Sequence, residues 1–546
     1  MNVTVRADSG ASWYATHAAA AFERPRLTFD IDVDVCVIGG GLAGLTAARE
    51  VARRGWSVAV IEARRMAWSA SGRNCGFVMP GFGTDARHMV ERVGLERARA
   101  LWKLSEAGVD YVRAAIRETE MPGVAPVAGW LDVSKVDNGD ELLAVVTLLG
   151  QEFGTEIEGW PTERVRAALK SDLYFHAVHY PGAFHIDPLN YAYGLANAAL
   201  AAGATIFEET PALAIDPTGV RKRVTTPSAR VRAAHVVLAA GAHLGDLAPS
   251  LAETVLPVTG YVAVTAPLGE RLAEAVAFAG AVSDSRRADF HYRIVGGDRL
   301  MWAGGGGVWP ASPARAGEAF KAAIARTFPQ LGAVEIAHAW SGVMGVSVHG
   351  MPQIGEVIPG LWLANAFGAH GLNTSAMAGE VIASAITERD DRWRLFLPYE
   401  LVWAGGRLGR VVHQVGAWSL RKTEEVAAGL ARRREAARRA EAQQAAEAEP
   451  AEDASEPVTR EMTISGREAA QPAAPQAGSE SVAQASTLVP QVEALLHQAA
   501  QRAEQRNRQQ ASETIEESEP SDHPGPEAPA ADPDDPKSSD DSAVRE

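Results

Sequence analysis

The densest run of chemistry-bearing residues is Gly39-Gly40-Gly41-Leu42-Ala43-Gly44, a G-x-G-x-x-G spacing placed directly after the apolar run Val35-Cys36-Val37-Ile38. Each glycine answers a geometric demand. Gly39 permits a tight strand-to-helix turn, Gly41 lets a diphosphate approach the backbone, and Gly44 lets helix and strand pack closely. The N–H groups and dipole at the start of the following helix attract phosphate oxygens. A second apolar run, Val58 to Ile61, ends in Glu62, 18 residues after Gly44. A carboxylate there accepts hydrogen bonds from ribose hydroxyls. The fingerprint alone is weak, but strand, turn, helix, second strand and terminal acid in register define a dinucleotide site. The motif leaves NAD and FAD open, and the acid disfavours the 2′-phosphate of NADP.

These residues need a buried parallel sheet to hold them, and a strand as continuously apolar as Val35–Ile38 suits one. The expected fold class is α/β. From about Phe29 to Gly429 the chain of 546 residues alternates apolar strands, amphipathic stretches and glycine-rich turns. From Leu430 onward it is rich in Ala, Glu, Gln, Pro and Ser, with 12 Lys+Arg against 24 Asp+Glu, so most of the net charge of −16 belongs to this segment. So polar a composition does not bury enough apolar surface to offset ordering, and it reads as a disordered acidic tail. Its arginines Arg432, Arg433, Arg434, Arg438 and Arg439 suit anionic lipid or nucleic acid, but acidic residues follow closely and favour a solvated helix end. Val492, Leu495, Leu496 and Ala499 read as a transient helix.

Cys36 and Cys75 are too few for a disulfide framework or a metal-ligand spacing, so no metal is expected. No basic-then-apolar leader and no membrane-length apolar run occur, which gives a cytoplasmic protein with no membrane span as the expectation. The charge balance suggests no nucleic-acid partner.

The segment after Glu62 carries a resemblance. Ser69-Ala70-Ser71-Gly72-Arg73-Asn74-Cys75-Gly76 looks like the "ASGRNGG" loop of FAD-dependent oxidoreductases of the D-amino acid oxidase superfamily, particularly the gamma-glutamylputrescine oxidase-like branch. Ser12-Trp13-Tyr14-Ala15 resembles that branch's opening "SYYA". His185-Ile186-Asp187-Pro188-Leu189, Pro211-Ala212-Leu213, the "VVLAAG" run from Val236 to Gly241, and Phe290-His291-Tyr292-Arg293 with the following Gly297-Asp298-Arg299 are similar to later family segments. Phe367-Gly368-Ala369-His370-Gly371-Leu372-Asn373 resembles the last flavin motif. The likeness covers roughly residues 12–420.

What the resemblance implies is a discontinuous Rossmann-like FAD-binding domain (30–110, 180–255 and 345–400) and an inserted antiparallel-sheet substrate domain (111–179 and 256–344). An N-terminal extension (1–29), a C-terminal helical segment (401–429) and the tail (430–546) complete the chain. Expected FAD contacts are Gly39, Gly41, Leu42, Ala43, Gly44 and Glu62, then Ala70, Ser71, Arg73 and Asn74 in the loop. Ala212 is expected beside the adenine, Gly241 near the nucleotide, and Gly368, His370, Gly371 and Leu372 near the flavin ring, where helix-start N–H groups would face flavin O2.

The implied chemistry is hydride transfer from an amine or amino-acid carbon to flavin N5, giving an imine that water hydrolyses. Tyr292, Arg293 and His370 are the candidate catalytic residues, with Tyr261 and His291 as further substrate contacts. Along a regular strand either His291 with Arg293, or Phe290 with Tyr292, faces the flavin. Arg293 is either a carboxylate clamp or an outer-face ion pair, and His370 either a catalytic group or a histidine satisfied by backbone.

Two departures stand out. Relatives with covalent flavin use a cysteine before the final glycine motif or a histidine in the loop after the ribose strand. Trp340-Ser341-Gly342-Val343-Met344-Gly345 and the Asn74-Cys75 region supply neither, so FAD is expected to be non-covalent. The oxygen-activating lysine of one branch is replaced by Leu300, Met301 or Trp302, which leaves O2 or a quinone as acceptor. The alternatives are a flavin dehydrogenase acting on a hydroxy-acid C–O bond, or a flavin-holding scaffold whose tail recruits partners.

Overall fold

A computed structural model describes residues 11–19, 24–284, 290–309 and 311–448. Its first sheet is built around Ile31–Ile38. In spatial order it runs Gln353–Ile358, Leu361–Asn365, Arg230–Leu238, Ile31–Ile38, Val58–Ile61 and Thr205–Phe207. All neighbours are parallel except the first pair, and Ala214–Asp216 with Lys222–Thr225 extends the sheet from Arg230–Leu238. Val35, Cys36 and Val37 are fully buried, as a strand covered on both faces requires. From the first strand the chain moves outward through Val58–Ile61 to Thr205–Phe207, and later returns to the opposite side at Arg230–Leu238. The order therefore reverses between these two central strands, and the crevice at their carboxyl ends is a topological switch point.

Two helices cover one face of this sheet and pack on each other, Leu42–Arg53 and Gly371–Glu388. Gly379 lies mid-helix, at the crossing. A Cβ there would lie 2.6 Å from Cβ of Thr46 and 2.7 Å from the backbone nitrogen of Ala47. Backbone does not give way, so Gly379→Ala is expected to destabilise by about 1–3 kcal/mol, read as a lower thermal midpoint.

The second sheet has nine strands. Its order is Ile336–Val346, Leu256–Thr265, Arg299–Gly307, Phe290–Val295, Ala281–Ser283, Val127–Val133, Ala177–His185 and Phe77–Val78, with Glu158–Trp160 paired to Ala177–His185. It is antiparallel except where Ala281–Ser283 meets Val127–Val133. One face packs into the core shared with the first domain, through Trp130, Val262, Met301 and Trp340. The other holds a separate core of Tyr261, Tyr292, Trp302 and Phe328. Fold class and discontinuity are thus those expected: an α/β nucleotide domain interrupted by a largely antiparallel sheet.

The C-terminal helix differs from the expectation. It spans Gly406–Ala448, well past Leu430, where the composition was read as tail. Alanine, arginine and glutamate favour helix when an anchor exists. Here Ala431 is buried, and Glu435 pairs with both terminal guanidinium nitrogens of Arg166 at 2.6 and 2.9 Å. The 492–499 segment lies outside the described residues.

Candidate functional site

The switch-point turn is built as the glycine spacing demands. Gly39 has φ +115°, and a Cβ on it would sit 2.5 Å from the carbonyl oxygen of Ala239, just past the end of the neighbouring strand. A Cβ on Gly44 would be 2.0 Å from the carbonyl oxygen of Gly39. Gly41 differs. Its backbone is extended, and its nearest neighbour would be the mobile Oγ of Ser71 at 2.9 Å. The fold therefore requires Gly39 and Gly44, while Gly41 keeps space open for something outside the chain. Leu42 and Ala43 are buried in the first turn of the helix.

Glu62 is turned onto this turn. Gly40 N–H donates to Oε2 at 2.7 Å and Arg64 N–H to Oε1 at 2.8 Å. Burial pushes its carboxyl above the usual range, and these two donors act the other way. Each carboxylate oxygen keeps lone-pair capacity for a further donor. Thr210 N–H donates to the Glu62 carbonyl at 2.8 Å, bringing Ala212 two residues away. Pro211-Ala212-Leu213 forms the irregular link between Thr205–Phe207 and Ala214–Asp216.

The loop after Glu62 closes over the helix start. Ser71 Oγ accepts from Leu42 N–H at 3.1 Å. Asn74 ties the loop to itself: its Nδ2 donates to the Ala70 and Ser71 carbonyls at 3.1 and 2.9 Å, and its Oδ1 accepts from Gly76 N–H at 2.8 Å. Arg73 donates to the Ser341 carbonyl at 3.1 Å, and Trp340 Nε1 donates to the Arg73 carbonyl at 2.9 Å. Asn74 thus holds the loop's shape, and Arg73 braces it against the second sheet. Beyond it, Gly241 (φ +59°) and Gly368 (φ +58°) have open space where a side chain would project. Between them Asn365 is fully buried, with neither its amide nitrogen nor its oxygen hydrogen-bonded. Gly371 and Leu372 begin the helix whose first turn has no side-chain cap. An unpartnered amide, glycines with open space and a helix start without a side-chain cap lie at the carboxyl ends of the central strands, a set that fits a flavin dinucleotide.

The register decides the strand alternatives. His291 and Arg293 share the face toward the first domain, opposite Ala303 and Met301. Tyr292 lies on the other face, stacked on Trp302 at 4.7 Å and bonded to Tyr174. Tyr261 lies in that same outer core. Neither tyrosine reaches the crevice, and both are withdrawn as site residues. Arg293 faces the crevice side: its two terminal nitrogens contact His185 Nδ1 at 2.7 Å, the Tyr14 hydroxyl at 3.2 Å and the Ile186 carbonyl at 2.9 Å, while its buried Nε has no hydrogen-bond partner. Tyr14 in turn donates to the Asn74 carbonyl at 2.9 Å. Arg293 is not an outer-face ion pair; through Tyr14 it links the loop after Glu62 to the N-terminal segment. Of the three residues at the lysine position, Met301 faces this side, its sulfur 3.4 Å from the Tyr14 hydroxyl.

What does converge beside the Gly371 helix start is His291 and His370, both expected, with two residues the sequence did not single out, Phe77 and Trp130. Phe77 packs on Trp130 at 4.9 Å and on His291 at 5.8 Å, and Trp130 lies 5.9 Å from His291. Trp130 Nε1, His291 Nδ1 and His370 Nδ1 are buried without hydrogen-bond partners. Neither Phe77 nor Trp130 belongs to a motif that could have announced it. Burial pulls the imidazole pKa values of both His291 and His370 down to about 4, and His291 adds to the effect at His370. Both rings are therefore neutral at neutral pH. An unfolded imidazole gains its proton below about 6.5, whereas these hold off until about 4, so folding stability present above pH 6.5 is lost as pH falls toward 4. The thermal midpoint should drop across that window, and less steeply in His291→Gln.

An α/β crevice with a dinucleotide turn, joined to a sheet that presents buried unpaired polar groups, is the architecture of a two-domain oxidoreductase. The chain belongs to the DAO family of FAD dependent oxidoreductases, whose model matches residues 34–385. It is 30% identical over 406 residues to the gamma-glutamylputrescine oxidoreductase of Escherichia coli, covering 73% of this chain and 94% of that protein. It is 29% identical over 401 residues to the oxidoreductase OrdL of Haemophilus influenzae, covering 70% and 90%. The crystal structure of glycine oxidase from Bacillus cereus superposes with a TM-score of 0.55 at 20% identity, over 66% of this chain and 97% of that one, a likeness of fold. Among the described residues no helix is long and apolar enough to cross a membrane.

Proposed function

We propose that this chain oxidises a C–N bond of a small amine to an imine, with FAD held non-covalently in the crevice. Bound FAD supplies the acceptor for a hydride from the carbon next to nitrogen. The observation that carries the reading is the set of three buried, unpartnered nitrogens on Trp130, His291 and His370 beside the uncapped helix start. A neutral imidazole accepts a hydrogen bond from an amine N–H, and the indole N–H donates to a polar atom of the same molecule. The rings of Phe77 and Trp130 exclude water and offer π faces to an alkylamine. With both histidines neutral, neither ring adds a cation beside the amine's lone pair.

Arg293, the one arginine expected to clamp a carboxylate, is held by His185, Tyr14 and Ile186. That favours an amine whose carboxylate is remote or absent over an α-amino or α-hydroxy acid. The gamma-glutamylputrescine named for the relative is such a substrate. Met301 stands where a lysine was sought and supplies no ammonium, and the positive charge opposite it, on Arg293, is turned to His185, Tyr14 and Ile186, which favours a quinone over O2 as acceptor.

The test is turnover of polyamines, gamma-glutamyl amines, amino acids and hydroxy acids with O2 or a soluble quinone. The reading expects an aldehyde with ammonia or amine release, faster with the quinone. A ketoacid from hydroxy acids alone would overturn it. A flavin-loaded protein that turns over none of them would favour the scaffold.

A further inference from the structure

The C-terminal helix Gly406–Ala448 lies beyond the 34–385 span that the family describes. Its inner side is docked: Gln414 accepts from Val308 N–H at 3.2 Å, Ala431 is buried, and Glu435 pairs with Arg166. The opposite side is apolar and open. Leu408, Val411, Val415, Trp418, Val426 and Leu430 are exposed by 55, 43, 58, 58, 63 and 48%. At about 100° per residue these six fall within an arc of about 120°, turned away from the docked side. Leu401, Val402 and Trp403, just before the helix, are exposed as well.

Charge says what covers this face. Gly406 to Arg439 carries nine Lys or Arg against three Glu, inside a chain whose net charge is −16. Lys422 and Arg433 fall on the apolar arc itself, and the exposed Arg432 and Arg434 flank it. Apolar residues with exposed tryptophan, bordered by arginine on a helix lying along the protein surface, fit the boundary between lipid headgroups and acyl chains. Parallel pairing with a second copy along the same arc would bring arginines toward arginines, which disfavours that arrangement.

We propose that Gly406–Arg439 docks the enzyme on an anionic phospholipid surface, with the arc from Leu408 to Leu430 entering the interface and the arginines meeting the headgroups. Nothing in this rests on the flavin chemistry.

The experiment is flotation of the full-length flavin-loaded protein with phosphatidylcholine vesicles, with and without phosphatidylglycerol. The wild type is expected to float with the anionic vesicles, and added salt to release part of it. Val411→Asp/Val415→Asp, and separately Arg432→Glu/Arg433→Glu/Arg434→Glu, should each cut binding about tenfold or more. Both leave flavin content and turnover of a soluble acceptor unchanged, so failure here is distinguishable from failure of the functional reading. A wild type that ignores anionic vesicles overturns the proposal. So does a wild type whose mass doubles with concentration in a way that Val411→Asp/Val415→Asp abolishes, because a second copy would then cover the face.

Discussion

Gly41→Val is expected to yield a folded protein that has lost its flavin, with FAD affinity reduced about 100-fold or more, or about 2.7 kcal/mol. The size follows from what Gly41 does and does not touch. Its extended backbone suits any residue, and the nearest obstacle to a Cβ is the rotatable Ser71 side chain, so the strand and helix around it are not forced apart. A branched side chain there fills the space between the turn and an approaching diphosphate, and shields the N–H groups at the helix start. Gly44→Val would be uninformative by comparison, because its Cβ collides with the Gly39 carbonyl and the fold itself suffers. The measurement is flavin content and an FAD titration of the stripped variant, beside a thermal melt. Wild-type affinity in Gly41→Val would mean that the diphosphate lies elsewhere.

The second large effect is expected at His291. His291→Leu keeps the ring's approximate volume and its contact with Phe77 and Trp130 but removes the unpartnered Nδ1. The variant should bind FAD normally, while kcat/KM for the best amine falls about 100-fold, which is about 2.7 kcal/mol of transition-state stabilisation. A purely structural histidine would show the opposite pattern, with a lowered melt and an unchanged kcat/KM. Activity within threefold of wild type would remove His291 from the site.

The nucleotide half of the molecule was legible because its demands are local. Gly39, Gly41, Gly44 and Glu62 act within one strand–turn–helix–strand unit, so their spacing carries their geometry. The substrate half depends on contacts between distant segments. Alternation along Phe290–Val295 says that His291 and Arg293 face one way and Tyr292 the other, but not which way is inward; the pairing of Tyr292 with Trp302 and the position of Tyr174 settle that. The isolated sequence also gave no sign that Arg293 would be consumed by His185, over a hundred residues away, and by Tyr14 at the N-terminus. Phe77, Trp130 and Asn365 are ordinary strand residues until folding leaves their surroundings apolar and, for Trp130 and Asn365, their polar atoms unpaired. The helix past Leu430 was missed for a related reason: composition reported its polarity, while Arg166 and the pocket for Ala431 come from elsewhere in the chain.

The most direct measurement of the central claim is a titration of FAD into protein stripped of bound nucleotide, followed by denaturation and filtration. The crevice between the Gly39 turn, Asn365 and the Gly371 helix predicts saturation at one FAD per chain, a bound-flavin absorbance spectrum, and complete release of the flavin from the unfolded polypeptide. A protein that takes up no FAD would contradict the account outright, and flavin that stays attached after unfolding would contradict its non-covalent part.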